Sequence, residues 1–251
     1  MIFLKPWLKS SSLFNFNQIE RDKWVASQAK QLSAGSKVLD VGAGSCPYRK
    51  FFTHCEYKTQ DFGSLSGEQL SLGQYGQIDY LCDAAAIPVQ DSTFDAVLCT
   101  EVLEHLSDPQ VAIKEFTRIL KPGGKLLLTA PLGSGIHQEP YHFYGGFTSF
   151  WYEKYLPKFG FKIIKIEQNH GSFRFFAQES IRFIRETRPA KLPMSLAMQF
   201  LWLLSWLVLL PILALFVPLW CAYLDRFDQQ KRFTVGYHVA AIKTGQSEPR
   251  L

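Results

Sequence analysis

The stretch VLDVGAGSCPY, Val38 to Tyr48, decides the fold. Its first half is a short apolar run, the pattern of a strand buried on both faces. Its second half is a turn built on Gly42 and Gly44. Glycine lets the backbone approach a ligand closely and take dihedrals closed to other residues. Alone, a strand running into glycines is a common arrangement. The reading sharpens about twenty residues later, where an acid at the end of a second strand would complete a nucleoside site. YKTQD (57–61) is that strand, and Asp61 is that acid. Its carboxylate is placed to accept both hydroxyls of a ribose.

Outward from there, strands are expected at IDYLCD (78–83), FDAVLCT (94–100), GKLLLTAP (124–131), FKIIKIE (161–167) and TVGYHVAAIK (234–243). Helices are expected over 18–32, 108–120 and 148–160, and directly after the glycine turn. The Gly63–Gly76 stretch, rich in Gly, Ser and Gln, reads as a surface excursion. Regular alternation of strand and helix predicts an α/β fold, a mostly parallel sheet with helices on both faces. Ligands in such sheets bind at the carboxyl ends of the strands.

The totals narrow the function. The chain has 251 residues and a net charge of +5, too mild to demand a nucleic-acid partner. Five scattered cysteines include no C-x-x-C pair, and no Cys/His set has zinc-ligand spacing, so no metal site is expected. Scattered cysteines suit a reducing compartment. The first residues, MIFLKPWLKS, lack the long apolar core of a secretory signal, which places the catalytic part in the cytoplasm.

CDAAAIPVQDSTFDAVLCTEVLEHL (82–106) adds D-x-x-x-x-P at Asp83 and Pro88, F-D-x-V at 94–97 and E-x-L-E-H-L at 101–106. Leu120-Lys121-Pro122-Gly123-Gly124 follows. In this order the motifs resemble the class I S-adenosylmethionine-dependent methyltransferases, in the methyltransferase type 11-like group. The resemblance covers about residues 18–170 and the last strand, and implies a Rossmann-like seven-stranded sheet with S-adenosyl-L-methionine as cofactor. It implies that Asp40, Gly42, Ala43 and Gly44 line the methionine and ribose portion and that Asp61 holds the ribose hydroxyls. Asp83 and Ala84 would meet the adenine, and Thr100 would lie near the methionine end. Many members carry a third glycine where this chain has Cys46, so a variant turn is expected there. His105 is common in the family whatever the substrate and reads as a packing or hydrogen-bonding residue. The amino-methylating nucleic-acid enzymes of this fold have Pro-Pro-aromatic after the fourth strand; this chain has Thr100-Glu101-Val102, which argues against a nucleic-acid substrate.

The acceptor is expected under PLGSGIHQEPYHFYGGFTSFW (131–151), a long loop with a Gly145-Gly146 hinge. His142 first, then His137, are candidate bases for a hydroxyl acceptor, and Tyr141 and Tyr144 are candidate pocket walls. Oxygen is therefore favoured over nitrogen as the methylated atom.

From Leu192 to Leu224 there is no charged residue. The final strand must return to the same sheet, so a single crossing meets a topological problem, and a hairpin broken at Pro211 and dipping into one leaflet, or helices lying in the interface, fits better than a span. Basic flanks favour the cytoplasmic face, with Trp202, Trp206 and Trp220 at headgroup level and IFLKPWL as a second interfacial contact. The division is 1–179 core, 180–232 insertion, and 233–251 last strand and tail. The leading expectation is methylation of a lipid-linked or amphipathic acceptor at the cytoplasmic membrane face. The alternatives are a soluble small-molecule acceptor, with the apolar segment a homodimer interface, and a non-catalytic cofactor-binding membrane scaffold.

Overall fold

The computed structural model describes residues 14–244, and the IFLKPWL piece lies outside them. The described chain divides into two compact units, 21–167 with 236–244, and 14–20 with 168–235.

The first unit holds the sheet. Its strands are β1 (Lys37–Val41), β2 (Glu56–Asp61), β3 (Tyr80–Leu81), β4 (Phe94–Thr100), β5 (Leu120–Pro131), β6 (Phe161–Gln168) and β7 (Gly236–Lys243). They lie in the order β3-β2-β1-β4-β5-β7-β6. The pairs β1–β2, β1–β4, β2–β3 and β4–β5 are parallel, and β7 runs antiparallel to β5 from Lys125↔Ile242 to Pro131↔Gly236. The expected seven-stranded, mostly parallel sheet is the one observed.

Strand side chains alternate between two cores, as a period of two requires. Val38, Ala96, Leu98 and Leu127 face Trp24, Val25 and Ala29 of helix α1 (Phe16–Ala29). Leu39, Val97, Leu126 and Leu128 face the other way, onto α2 (Pro109–Ile119) and α3 (Ser149–Lys158) through Ile113, Phe116, Tyr152 and Leu156. Burial on both faces is why these strands read as continuous apolar runs. Helix α2 starts where its sequence says it should. The Asp108 carboxylate accepts the amides of Gln110 at 3.0 Å and Val111 at 3.3 Å, with Pro109 at the first helical position.

Three local expectations are corrected. No α-helix follows the glycine turn; a single 3₁₀ turn, Arg49–Phe51, stands there. Cys46 has φ 55°, a left-handed conformation no helix accommodates, and the few residues left must reach β2. Strand β3 is only Tyr80–Leu81, because the Asp79 carboxylate takes the Thr59 amide at 3.0 Å in place of a ladder bond. Strand β5 begins at Leu120, ahead of the Lys-Pro-Gly-Gly stretch, through a register shift between Phe94 and Ala96.

The second unit is helical. Helix α4 (Ser172–Glu186) is followed by α5 (Leu196–Pro211), a π-turn (Ile212–Phe216) and α6 (Val217–Leu224). With a closing 3₁₀ turn (Asp225–Phe227) the last three form one helix over Leu196–Phe227, of 32 residues, whose most apolar 18-residue window has a mean hydropathy of 2.6, long and apolar enough by length and composition to cross a membrane.

The expected break at Pro211 does not occur. The π-turn absorbs the proline, a known way for a helix to accept an insertion into its ladder. Val217 donates to Ile212 in the π register. The next donor would be Pro218, which has no N–H. The Ser180 hydroxyl of α4 instead reaches the Leu213 carbonyl at 2.9 Å. A hairpin exists, but its turn lies between α4 and α5, over 187–195. The antiparallel pairing is read from Trp202 Nε1 donating to the Thr187 carbonyl (2.7 Å), Trp206 Nε1 to Ile184 (3.0 Å), and Gly171 N to Asp225 (3.1 Å). Those two indoles are tied to the carbonyls of Ile184 in α4 and of Thr187 just past its end rather than free for headgroups; Trp220 stays exposed.

Replacing Ser180 by Ala should strand the Leu213 carbonyl beside a residue that cannot donate. The expected loss is about 1–3 kcal/mol, read as a lowered thermal midpoint of the helical signal in detergent; an unchanged midpoint would assign the π-turn another support.

Candidate active site

The carboxyl ends of β1, β2 and β4 converge, and each carries a polar group fixed by the turn beside it. Asp40 is 1% exposed and accepts the Tyr57 hydroxyl. Burial pushes its carboxyl up to about 7 against the Tyr57 bond, and the nearby Asp61 adds to the rise. Gly42 has φ +67°, and a Cβ there would lie 2.3 Å from Val102 Cγ2, so glycine is required on two counts. Asp61 is held from both sides, by the Gly44 amide at 2.9 Å and the Gly63 amide at 2.9 Å. A carboxylate offers about four lone-pair sites, so two amides fix it and leave capacity for hydroxyls. After β3, Asp83 accepts the Ala85 amide at 2.8 Å. Cys46 has a left-handed φ of 55°, pinned by its amide on the Ala43 carbonyl at 2.7 Å.

Asp40, Gly42, Ala43, Gly44, Asp61, Asp83, Ala84 and Thr100 all line one cavity of about 810 Å³, and Tyr141 lines it with them. Ligand sites span roughly 300–1,000 Å³, so this volume accommodates a nucleoside cofactor and a ring-sized acceptor. Tyr144, His137 and His142 are not on its wall; Tyr144 instead donates to the Ser107 carbonyl at 3.2 Å.

Three wall residues were missed or undervalued in the sequence. Arg21 pairs with Glu101 (Nη1–Oε2 3.0 Å) and donates from Nε to Tyr48 at 3.0 Å. Nothing near residue 21 marks it, because its partner lies 80 positions on. Glu101 has φ 53° and accepts Thr129 Oγ1 at 2.8 Å; a non-glycine residue in the left-handed region directly after a central strand is an arrangement that clusters at functional sites. His105, read as a packing residue, does bond the Tyr141 carbonyl through Nδ1 at 2.7 Å, and it also lines the cavity. Burial pushes its imidazole down to about 4, with His137 and His142 adding to the fall, so it is neutral at physiological pH.

The tertiary fold gathers three histidines that the sequence keeps apart. Ring centroids of His105 and His137 lie 4.8 Å apart, those of His137 and His142 4.7 Å, and those of His105 and His142 5.7 Å. His142 Nε2 is 3.1 Å from Ser134 Oγ. Beneath them Glu104 is buried, and desolvation followed by Glu101 raises its carboxyl to about 8. Its backbone carbonyl accepts the amides of Phe143 (2.9 Å) and Tyr144 (3.1 Å), which holds the loop in place.

Two outcomes test this geometry. Gly42→Ala should cost roughly 1–2 kcal/mol for the left-handed dihedral alone, more with the Val102 clash, and should weaken S-adenosylhomocysteine binding by calorimetry; wild-type binding would contradict the turn's role. Asp40 binds its proton more tightly folded than unfolded, so it favours the unliganded fold at low pH. That contribution is lost as pH rises from about 4 to about 7. A cationic sulfonium favours the ionised carboxylate, so cofactor affinity should rise with pH through about 7 and become flat and weaker in Asp40→Asn.

Comparison with known proteins agrees with the geometry. A family profile described as a methyltransferase domain matches residues 39–128. The ubiquinone/menaquinone biosynthesis C-methyltransferase of Haemophilus ducreyi is 32% identical over 162 residues, covering 59% of this chain and 58% of that one. The ubiquinone biosynthesis O-methyltransferase of Idiomarina loihiensis is 38% identical over 104 residues, covering 38% and 42%. The chain therefore spans less than two thirds of the length of these relatives. Among solved structures, phosphoethanolamine N-methyltransferase 2 of Haemonchus contortus with S-adenosyl-L-methionine superposes with a TM-score of 0.54 at 17% identity, over 97% of this chain and 60% of that one. The cyclase SpnF superposes at 0.55 and 20% identity, over 90% and 82%. These likenesses carry the fold. The matched residues 39–128 form a methyltransferase domain, and the seven-stranded sheet around them has the fold of S-adenosylmethionine-dependent methyltransferases.

Proposed function

We propose that this chain transfers the methyl group of S-adenosylmethionine to a hydroxyl oxygen of a small lipophilic, ring-bearing acceptor at a membrane surface. The observation that carries the reading is the shared cavity. Its wall joins the cofactor acids to Tyr141, Phe143 and His105, so an apolar ring and a hydroxyl have a place beside the methyl group. Relatives whose names place them in ubiquinone and menaquinone biosynthesis support a lipophilic acceptor.

In the reaction the acceptor oxygen attacks the methyl carbon in line with sulfur. The carbon–sulfur bond breaks, its electron pair stays on sulfur, and the hydroxyl proton goes to a base. Alignment with reacting atoms about 3 Å apart supplies much of the rate. His142 is the proposed base and His137 its alternate; both stand on the loop behind His105, so the step needs that loop to close on the acceptor. Cofactor contacts are assigned to Asp40, Gly42, Ala43, Gly44, Asp61, Asp83, Ala84 and Thr100, and the acceptor contact to Tyr141; Tyr144, now bonded to the Ser107 carbonyl, would join it only when the loop closes.

The membrane part of the proposal rests on the second unit. None of the apolar window of the long helix is buried. Leu196, Phe200, Leu201, Val208, Phe216 and Trp220 are all more than half exposed. At 1.5 Å per residue the helix is about 48 Å long. A perpendicular crossing would carry the turn residues Arg188 and Lys191 and the α4 charges Glu179, Arg182 and Arg185 through hydrocarbon. A helix pair lying in the interface leaves those charges at the headgroups and seats the apolar face among acyl chains. The insertion expected at 180–232 would then form the attachment, with 1–179 and 233–251 as the working core; the compact unit observed takes in α4 from its start.

Membrane extract incubated with methyl-labelled cofactor should place label in the organic phase, and His142→Ala should lower turnover by about 10²-fold or more with cofactor binding intact. Label confined to the aqueous phase would overturn the acceptor class. The full chain should also float with vesicles of anionic phospholipid; a detergent-free soluble dimer would instead assign the apolar face to a second copy.

A further inference from the structure

We infer that Glu104, His105 and His137 form a site for a divalent transition-metal ion, with zinc the best match. Each offers one ligand atom, and these atoms lie within 4.8 Å of one another. Proximity alone would not make a site; the hydrogen bonds around it do.

Both histidines are oriented as metal ligands are. His105 Nδ1 lies 2.7 Å from the Tyr141 carbonyl, and His137 Nδ1 lies 2.9 Å from the Gly135 carbonyl. A carbonyl only accepts, so in each ring Nδ1 carries the proton and Nε2 presents a lone pair. Fixing the tautomer through the far ring nitrogen is the usual outer partner of a ligating imidazole. The carboxylate points to a cation independently. Glu104 is 1% exposed, and its Oε2 has no hydrogen-bond partner among the described residues. A buried polar atom left in that condition is costly. Its other oxygen, Oε1, lies 3.8 Å from His105 Nε2.

Two imidazoles and one carboxylate are the ligand set of many catalytic zinc sites, which keep a fourth position for water or substrate. Zinc bonds of about 2.0–2.2 Å put ligand atoms roughly 3.4 Å apart, closer than the widest separation here. Binding therefore draws His137 inward by about an ångström. His137 is exposed and sits two residues past Gly135, so it is the ligand free to move. His105 belongs to the cavity wall, so the open position lies beside the acceptor's place. A metal there would bind the acceptor hydroxyl and lower its pKa before attack, leaving His142 to take the proton. That role rests on the proposed methyl transfer; the site itself does not.

The test is zinc binding to the full chain in detergent, after chelator treatment and dialysis, by calorimetry and by cobalt(II) substitution. The expected result is one equivalent of zinc and the visible bands of four-coordinate cobalt. His137→Ala and Glu104→Gln should each weaken zinc by more than about tenfold, while His137→Ala keeps its far-ultraviolet spectrum and its S-adenosylhomocysteine affinity. Absence of stoichiometric zinc in the wild type, or unchanged zinc affinity in both variants, would overturn the site. Methyl transfer that persists after chelation overturns the metal's role and leaves the proposed function standing. Zinc bound in a chain that transfers no methyl group does the reverse.

Discussion

The structure turns on two carboxylates that must be held, nearly dry, at the edge of a parallel sheet. Asp40 and Asp61 are 1% and 2% exposed. An unpaired buried carboxylate is among the costliest groups a fold can carry, so the surroundings are arranged around them. Tyr57 crosses from β2 to Asp40, and the amides of Gly44 and Gly63 clamp Asp61. The parallel register of β1 on β2, Asp40 opposite Thr59, brings the two acids to the same edge. The glycine turn, the left-handed Cys46 and the truncated segment before β2 all follow from keeping that edge open to a ligand.

A second polar group is built from the turn after β4. Glu101 reaches Arg21 and Thr129, while Glu104 and the three histidines lie under the loop that follows β5. Strand β4 ends at Thr100, and the tight turn after it carries Glu101, bonded to Arg21 and Thr129, and then Glu104 and His105. One short motif therefore supplies both the anchor of the half-buried Arg21 and part of the histidine cluster. The loop is fastened there by main-chain bonds from Phe143 and Tyr144 to the Glu104 carbonyl, so its position depends on backbone geometry as well as side-chain identity.

The sheet and the acids at its carboxyl edge were legible in the sequence because their signals are local. A strand, two glycines and an acid occupy Val38–Asp61, and the acids that follow sit at strand ends that periodicity locates. What was not legible is tertiary. Arg21 and Glu101 meet only when α1 packs on the sheet, and His105 meets His137 only when a distant loop folds back. Prolines misled for a related reason. Pro211 reads as a break, but the hydroxyl that tolerates the π-turn comes from Ser180, on another helix. Cys46 in a glycine's dihedral was the opposite case: a visible departure that changed little, because the backbone takes the left-handed conformation there and the side chain found room against Gly76.

The central claim is that the acids at the carboxyl edge hold S-adenosylmethionine, and a crystal structure of the full chain with S-adenosylhomocysteine tests it most directly. The account predicts ribose hydroxyls on Asp61, adenine beside Asp83 and Ala84, and the homocysteine portion over Gly42 and Gly44 toward Thr100. A ligand bound away from Asp61, or a cavity that stays empty at saturating concentration, would contradict it.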